Sequence, residues 1–434
     1  VNKQRSMLTR ILRGALPFCV VAGWAVSLSA AEPMEDWINQ ALDGNPEVVT
    51  ARMQWEAAKT QIDQVRGLED PMAGVNVMRE DSNRFDDADE IEWMVSQRIP
   101  FWGKRKFRGE AARLMAEAAG FQYMEVMRTV RAQVIEASWK LWIAARELEI
   151  NEEYLSLLAQ NAEAARGRYA AGEGGQGDLL RAQVEEATVR NEQADLELER
   201  EVIQASLNRL LNLPPDTPQR MDSAPMQRDI GMDLDELYRR ARQYCCFLMS
   251  YVRLVEAAEY AGRAARRDRA PDFELTVQAR EPRGSGGIQE YDTGIAINIP
   301  WLWRGKYAAA IREADIERDK ALAMLEGEQN MTLFEVKERH TRIDNRRRSL
   351  ALLNETILPR ATELADVMRA SYEAGSVTFL EWLDAQRALL DARRRLVRAQ
   401  GQYVIDYAWL EQIVAEWGPR EIETGLVTEA MLAE

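Results

Sequence analysis

The second half of this 434-residue chain repeats the first about 200 residues later, and the repeated unit holds both strand-like and very long helix-like stretches. Glu56-Ala57-Ala58 returns as Glu256-Ala257-Ala258, Pro71 as Pro271, Ile99-Pro100 as Ile299-Pro300 and Gly103-Lys104 as Gly305-Lys306. Tyr169, Ala171, Gly172, Leu180, Ala182 and Gln183 return as Tyr372, Ala374, Gly375, Leu383, Ala385 and Gln386, so the offset drifts only from 200 to 203. A period this long lies far outside the roughly 20 to 50 residues of a solenoid repeat. The chain is a duplication, and whatever it builds it builds twice.

Each copy opens with a helical segment, about Met34 to Leu68 and about Asp233 to Arg269, that ends just before the repeated proline. Alternation follows. Phe273, Leu275, Val277 and Ala279 fall on one face and Glu274, Thr276, Gln278 and Arg280 on the other. The next run sets Tyr291, Thr293, Ile295, Ile297 and Ile299 against Asp292, Gly294, Ala296 and Asn298, and the first copy does the same with Ala73, Val75, Val77, Ile91, Trp93 and Val95. Polar loops, Asp81 to Glu90 and Glu281 to Glu290, separate the members of each pair, which predicts four strands in two hairpins.

Beyond each hairpin the chain turns helical, and from Lys104 to Tyr169 no proline interrupts it. Val130, Val134, Ala137, Leu141, Ala144, Leu148, Asn151, Leu155, Leu158, Ala162, Ala165 and Tyr169 keep four-three spacing, a coiled-coil seam broken in character only by Asn151. Trp382, Ala385, Leu389, Ala392, Leu396, Ala399, Tyr403, Asp406, Leu410 and Ile413 form another, with Leu383, Leu390, Val397 and Val404 beside it. Two adjacent stripes let one helix pack on both sides, as in a wall of helices; one wide stripe facing a globular core is the alternative. The helical hairpins turn at Ala171 to Gly177 and at Ala374 to Phe379, where glycine accepts positive φ.

The organisation is then a leader at 1–31, a first repeat at 32–212 and a linker at 213–232, followed by a second repeat at 233–417 and a tail at 418–434. The hairpins fall at about 72–99 and 272–299, and the long helical hairpins at about 102–212 and 304–415. In the leader, Lys3, Arg5, Arg10 and Arg13 precede an apolar run from Ala15 to Leu28 and a Ser29-Ala30-Ala31 cleavage site, the pattern of a secretory signal. Leu16-Pro17-Phe18 before Cys19 lacks the small residues expected before a lipidated cysteine. Without the leader, 52 Lys and Arg face 71 Asp and Glu, which argues against nucleic acid as a partner. Cys245 and Cys246 are neighbours in a predicted helix and offer no disulfide framework. No stretch after the leader holds the roughly 18 apolar residues of a spanning helix.

Amphipathic strands of about nine residues match a bilayer crossed by tilted β-strands. Open edges in hydrocarbon cost several kcal/mol per unpaired group, and four strands are too few to close a barrel, for which about eight is the minimum. The chain must therefore pool strands with copies of itself: two would give eight and three twelve. A small exposed sheet in a soluble protein is the plain alternative. Trp102, and Trp301 with Trp303, follow the strands beside Lys104, Arg105, Arg304 and Lys306, the composition of a membrane interface; filling a soluble core is the competing use.

The sequence resembles the TolC family of outer-membrane efflux proteins through nearly all of the chain after the leader. The stretches "QRIPFWGKR" at 97–105, "RYAAGEGGQGDLLRAQ" at 168–183 and "SYEAGSVTFLEWLDAQRALLDARRRL" at 371–396 carry the resemblance. It implies a mainly α fold with a small antiparallel β part. The duplicated units would form a homotrimer whose twelve-stranded transmembrane β-barrel, set in outer-membrane lipid, continues into a periplasmic α-helical barrel. The implied activity is non-enzymatic and needs no cofactor: an exit duct joined through a periplasmic adaptor (membrane fusion protein) to an inner-membrane transporter, the RND type being one candidate. It would pass small molecules or metal ions. A duct for type I protein secretion is the second reading, and a poreless periplasmic coiled-coil scaffold the third.

Carried over by position, Arg168, Tyr169, Gly172, Asp178 and Leu180, with Tyr372, Gly375 and Leu383, resemble the hairpin tips that meet the adaptor. Glu381 and Asp384 match the acidic positions near the closed periplasmic end, where three copies would make carboxylate rings. The same two acids also suit the first turn of a helix. Ser371 stands opposite Arg168, so the tips differ, and Cys246 stands where the first copy has Pro46. The "WGKR" and "WRGKY" segments resemble members serving heavy-metal exporters. Elsewhere chemistry is thin. His340 is the only histidine and cannot supply a two-histidine zinc site. Glycines 172, 174, 175 and 177 precede Asp178 and Leu179 rather than the lysine and hydroxyl of a phosphate loop. The basic run Arg393 to Arg395 reads as a salt-bridged helix face.

Overall fold

The computed structural model describes residues 33–78, 89–172, 175–221, 231–282 and 284–415. The leader, the tail, Gly174, most of the first hairpin loop and the 222–230 part of the linker lie outside them.

Each repeat opens with two helices where the sequence predicts one. α1 (Pro33–Gly44) and α2 (Pro46–Arg66) break at Asn45, and α5 (Leu234–Tyr244) and α6 (Cys246–Arg267) break at Cys245. The first break follows from Pro46, which holds the residue before it extended and opens α2 at no hydrogen-bond cost. Buried Asn45 then caps α2: its Oδ1 accepts from the Glu47 amide at 2.8 Å while its Nδ2 donates to the Leu210 carbonyl at 2.9 Å. No proline or side-chain cap marks the second break. There Arg128, reaching across from the next helix, donates to the Tyr244 carbonyl at 3.1 Å.

β1 (Met72–Met78) and β2 (Glu90–Ile99) form the first hairpin, and β3 (Phe273–Pro282) and β4 (Glu290–Ile297) the second. The two expected hairpins are one sheet: β2 pairs antiparallel with β3, giving the order β1-β2-β3-β4. α3 (Lys104–Ala170) is 67 residues long, about 100 Å at 1.5 Å per residue, and lies against α2, α6, α4 (Gln176–Leu210) and α9 (Phe379–Val414). In the second repeat α7 (Arg304–Leu352) continues through a π-helical turn, Leu353–Ile357, into α8 (Leu358–Glu373), and α9 (Phe379–Val414) returns. Between Lys306 and Tyr372 the repeat offset grows from 202 to 203. A π turn holds more residues than an α turn, so this one, just before Pro359, absorbs the inserted residue without ending the helix.

The predicted seams are the buried lines of the trunk. Val130, Val134, Leu141, Asn151 and Leu158 are buried in α3, as are Trp382, Ala392, Asp406 and Leu410 in α9; Tyr169, last in its seam, is exposed. α9 passes so close to α3 that a Cβ on Gly401 would stand 2.5 Å from Ile143 Cδ1. Among the described residues no helix is long and apolar enough to cross a membrane.

Candidate pore wall and helical tips

Strand register sorts the sheet into two faces of opposite character. Val75, Trp93, Ala279 and Tyr291 lie in one cross-strand line, and Ala73, Val95, Val277 and Thr293 in the next. This apolar face is bare in the single chain: Tyr291 is 71% exposed and Ile295 77%. On the other face Asn76, Glu92, Arg280 and Glu290 align. Arg280 pairs with Asp292 at 2.8 Å and lies within 3.8 Å of Glu90, Glu92 and Glu290, while Asn76 donates to Glu92 at 3.0 Å. Glu92 is buried. Water would select the reverse, with apolar groups covered and charges out. An apolar band outside and a charged surface inside is the pattern of a strand wall between lipid and a watery lumen.

Where the sheet meets the helices, Trp102, Trp301 and Trp303 are all exposed. Trp102 packs edge-on to Phe101 and Phe273, and Arg267 lies over the Phe101 ring at 4.9 Å while donating to the Trp102 carbonyl. Below them Lys104 is buried. Its Nζ donates to the Ala270 carbonyl and to Asp272 Oδ1, each at 2.7 Å, so the second repeat satisfies an ammonium carried by the first. Asp272 also accepts from the Phe101 amide and from Arg98.

At the far end, Gly172 and Gly375 turn the two helical hairpins at φ of 76° and 75°. Tyr169, Gly172, Leu180 and Gly375 are exposed, and Asp178 is half-buried near Arg181. Tyr372 and Leu383 are buried instead: Tyr372 stacks on Trp382 at 4.8 Å, with Phe379 edge-on to both. They hold the second tip in shape. Arg168 joins the tips, lying 4.9 Å over the Tyr372 ring with Nη1 3.5 Å from the Tyr372 carbonyl.

Glu381 closes a capping box: its carboxylate accepts from the Thr378 amide at 2.7 Å, and its own amide donates to the Thr378 hydroxyl. The Thr378 amide and then its hydroxyl hold the Glu381 carboxyl below the usual carboxylate range. Asp384, one turn on, is exposed and 3.5 Å from Arg387. Both acids therefore stand at the N-terminal end of α9.

Next to the tips lies a cluster that the sequence reading missed. Arg387 on α9 binds Glu185 on α4 through two donors, one at 2.9 Å, and Tyr154 on α3 donates to the same carboxylate at 3.3 Å. Hydrogen bonding from Arg387 holds Glu185 below the usual range against the opposing effect of burial, and burial followed by the Glu185 charge pushes the Tyr154 phenol up. One heptad along, Arg394 reaches Glu192 at 2.9 Å and Asn151, and Arg398 binds buried Glu147. The signal was present in the shared 202-residue offset of Glu185 to Arg387 and Glu192 to Arg394. Of the predicted basic run, Arg393 and Arg395 make exposed pairs, whereas Arg394 is turned inward. His340 is partly buried beside Asp344 at 3.4 Å.

An inside-out sheet at one end of a helical trunk defines a class, the trunk-bearing β-barrel channels of outer membranes. The chain belongs to the outer membrane efflux protein family, whose model matches residues 37–213 and 248–416. It is 28% identical to the cobalt-zinc-cadmium resistance protein CzcC of Cupriavidus metallidurans over 315 residues, 70% of this chain and 72% of that one. It is 22% identical to the outer membrane efflux protein BepC of Brucella suis over 64% of this chain and 61% of that one. Its fold superposes on the outer-membrane channel OprN with a TM-score of 0.78 at 20% identity, covering 88% and 90% of the two chains. CusC gives 0.78 at 19% identity, covering 88% and 92%. This protein is an outer-membrane efflux channel.

Proposed function

We propose that three copies of the chain close one twelve-stranded antiparallel barrel, which the helices continue as a periplasmic tunnel. The observation that carries this is the four-stranded inside-out sheet, whose outer strands β1 and β4 each have a single partner among the described residues. Bare backbone edges in hydrocarbon require closure, and an even number of antiparallel strands supplies it. In this reading residues 32–212 and 233–417 are the two repeats, each giving two strands and a helical hairpin to a wall of six such units. Trp102, Trp301 and Trp303 ring the membrane interface, and the even-numbered face, with Glu92, Arg280 and Asp292, lines the lumen.

The periplasmic end takes the adaptor on its exposed tip residues Tyr169, Gly172, Leu180 and Gly375 and on half-buried Arg168 and Asp178, on a surface that buried Tyr372 and Leu383 shape from beneath. An inner-membrane transporter, through that adaptor, supplies the energy. Glu381 and Asp384, threefold repeated, form carboxylate rings that favour cations where the tunnel narrows. Divalent metal ions are the substrate that the resistance protein's name supports. The test is conductance in planar bilayers. Discrete, cation-selective steps are expected, with selectivity falling when Glu381 and Asp384 are both changed to alanine; no steps from purified protein would overturn the reading.

A further inference from the structure

We infer that the contact between neighbouring chains copies the contact between the two repeats of one chain, with Lys306 of one protomer seated in the 68–70 turn of the next against Asp70. The inference rests on the trimeric reading above and names the surface by which a second copy of this chain docks.

The template lies within the protomer. Lys104 opens α3 and plugs into the α6–β3 turn of the other repeat, where the carbonyls of Asp268 and Ala270 and the carboxylate of Asp272 accept its three protons. Its counterpart in the second repeat is Lys306, which is exposed, with Nζ over the ring of its neighbour Tyr307. The counterpart of the socket is the turn between α2 and β1. Leu68 stands for Asp268, Asp70 for Ala270, and both are exposed. Met72 replaces Asp272, so this socket lacks that carboxylate but gains one from Asp70 at the position whose carbonyl binds Lys104 most closely. Glu69 and Asp70 on one side and Arg304 and Lys306 on the other give the two surfaces opposite charge.

The helices above agree. α3 is flanked by α2 and by its counterpart α6, whereas α7 lies on α6 and has no comparable contact with α2 among the described residues. Ile316, Leu322 and Phe334 are exposed on α7, while their counterparts Leu114, Gly120 and Ala132 are buried in α3. α2 turns Met53 and Val65 outward, and Leu68 just beyond it is exposed as well. A neighbour's α2 on α7 would cover both sets. The same placement brings the outer edge of β4 to the outer edge of β1 in the antiparallel sense that β2 and β3 already use. The apolar faces then run on across the seam, because only a register that keeps odd-numbered residues opposite one another preserves them.

The experiment uses the full chain purified in detergent, with D70C and K306C joined by a short bismaleimide. With Cys19 replaced by alanine and the native Cys245 and Cys246 both buried, the introduced thiols take the reagent. The double variant is expected to run as covalent dimers and trimers on denaturing gels, and each single variant as monomer. In parallel, K306E is expected to lose resistance to dissociation, and D70K/K306E to regain it. A wild-type trimer by mass with no cross-link in the double variant, or a K306E trimer as resistant as wild type, overturns the docking surface while leaving the trimer standing. A wild-type protein that is not trimeric removes both.

Discussion

α3 and α7 hold the same place in the two repeats yet live in different surroundings. α3 is buried along most of its length and starts from a lysine fully satisfied inside the chain. α7 buries only Thr332, Val336, Ile343 and Leu350, and the matching lysine in its first turn, Lys306, lies in solvent. Duplication made the two helices alike, and position separates them: one sits in the middle of the protomer and the other at its edge. On the trimeric reading proposed above, a single chain is half interior and half interface, and what α3 finds in its own sequence α7 finds in another copy.

The largest expected effect comes from the middle. Lys104→Ala takes the buried ammonium from Asp272 and leaves it the Phe101 amide and Arg98, and a charged group that loses such a partner costs about 3 kcal/mol. Urea unfolding in detergent should show a marked loss of midpoint, whereas Lys306→Ala should leave unfolding of the protomer near wild type and lower only trimer dissociation resistance. Equal effects of the two changes on protomer unfolding would erase the distinction between middle and edge.

Gly401 comes next. A methyl group there meets Ile143 in packed core, and overfilling of this kind costs about 1–3 kcal/mol. Gly401→Ala should lower the midpoint, and Ile143→Val in the same chain should recover part of the loss. Full additivity of the two would mean that they do not meet.

The Glu185–Arg387 tie sharpens the comparison at the tips, because it binds a helix of the first repeat to one of the second. Glu185 is held below the unfolded carboxylate value of about 4.3, so its stabilisation is complete above that pH and is lost as pH falls through the lowered value. Arg387 is about half exposed, and solvent screening reduces the expected cost of Glu185→Gln to about 1–2 kcal/mol. Unfolding midpoints of the variant followed from pH 6 down to 3 should show a flatter acid limb than wild type. An unchanged acid limb would show that another carboxylate governs it.

Much of this was legible in the sequence, and the failures have physical causes. Alternation by twos named both faces of the sheet, because side chains on a strand alternate without exception. Four-three spacing named the seams, including Asn151 and Asp406, the polar members that turned out buried. Pairing of β2 with β3 was not legible: it joins residues some 180 apart, and nothing local encodes it. Breaks at Asn45 and Cys245 were missed for different reasons. Asn-Pro is a helix-start signal set inside a longer helical pattern, whereas the break at Cys245 is met from outside by Arg128. Tyr372 and Leu383 match the tip motif yet lie beneath the surface, since a motif marks a position and not its exposure.

The smallest effect on stability falls on the acids of α9. Asp384→Ala removes one exposed pair and should move the unfolding midpoint by well under 1 kcal/mol. Glu381→Ala gives up half of a capping box on an exposed turn and should lower the midpoint only slightly. Their proposed task is ionic, so cation preference in bilayer recordings should fall far more than stability does. A large stability loss with unchanged selectivity would return both residues to a purely structural role.

The central claim is that the chain is one third of a closed wall, and the mass of the intact assembly released from detergent tests it most directly. Three chains, and therefore twelve strands, is the predicted result. A monomer, or a dimer whose eight strands close a smaller barrel, would contradict it.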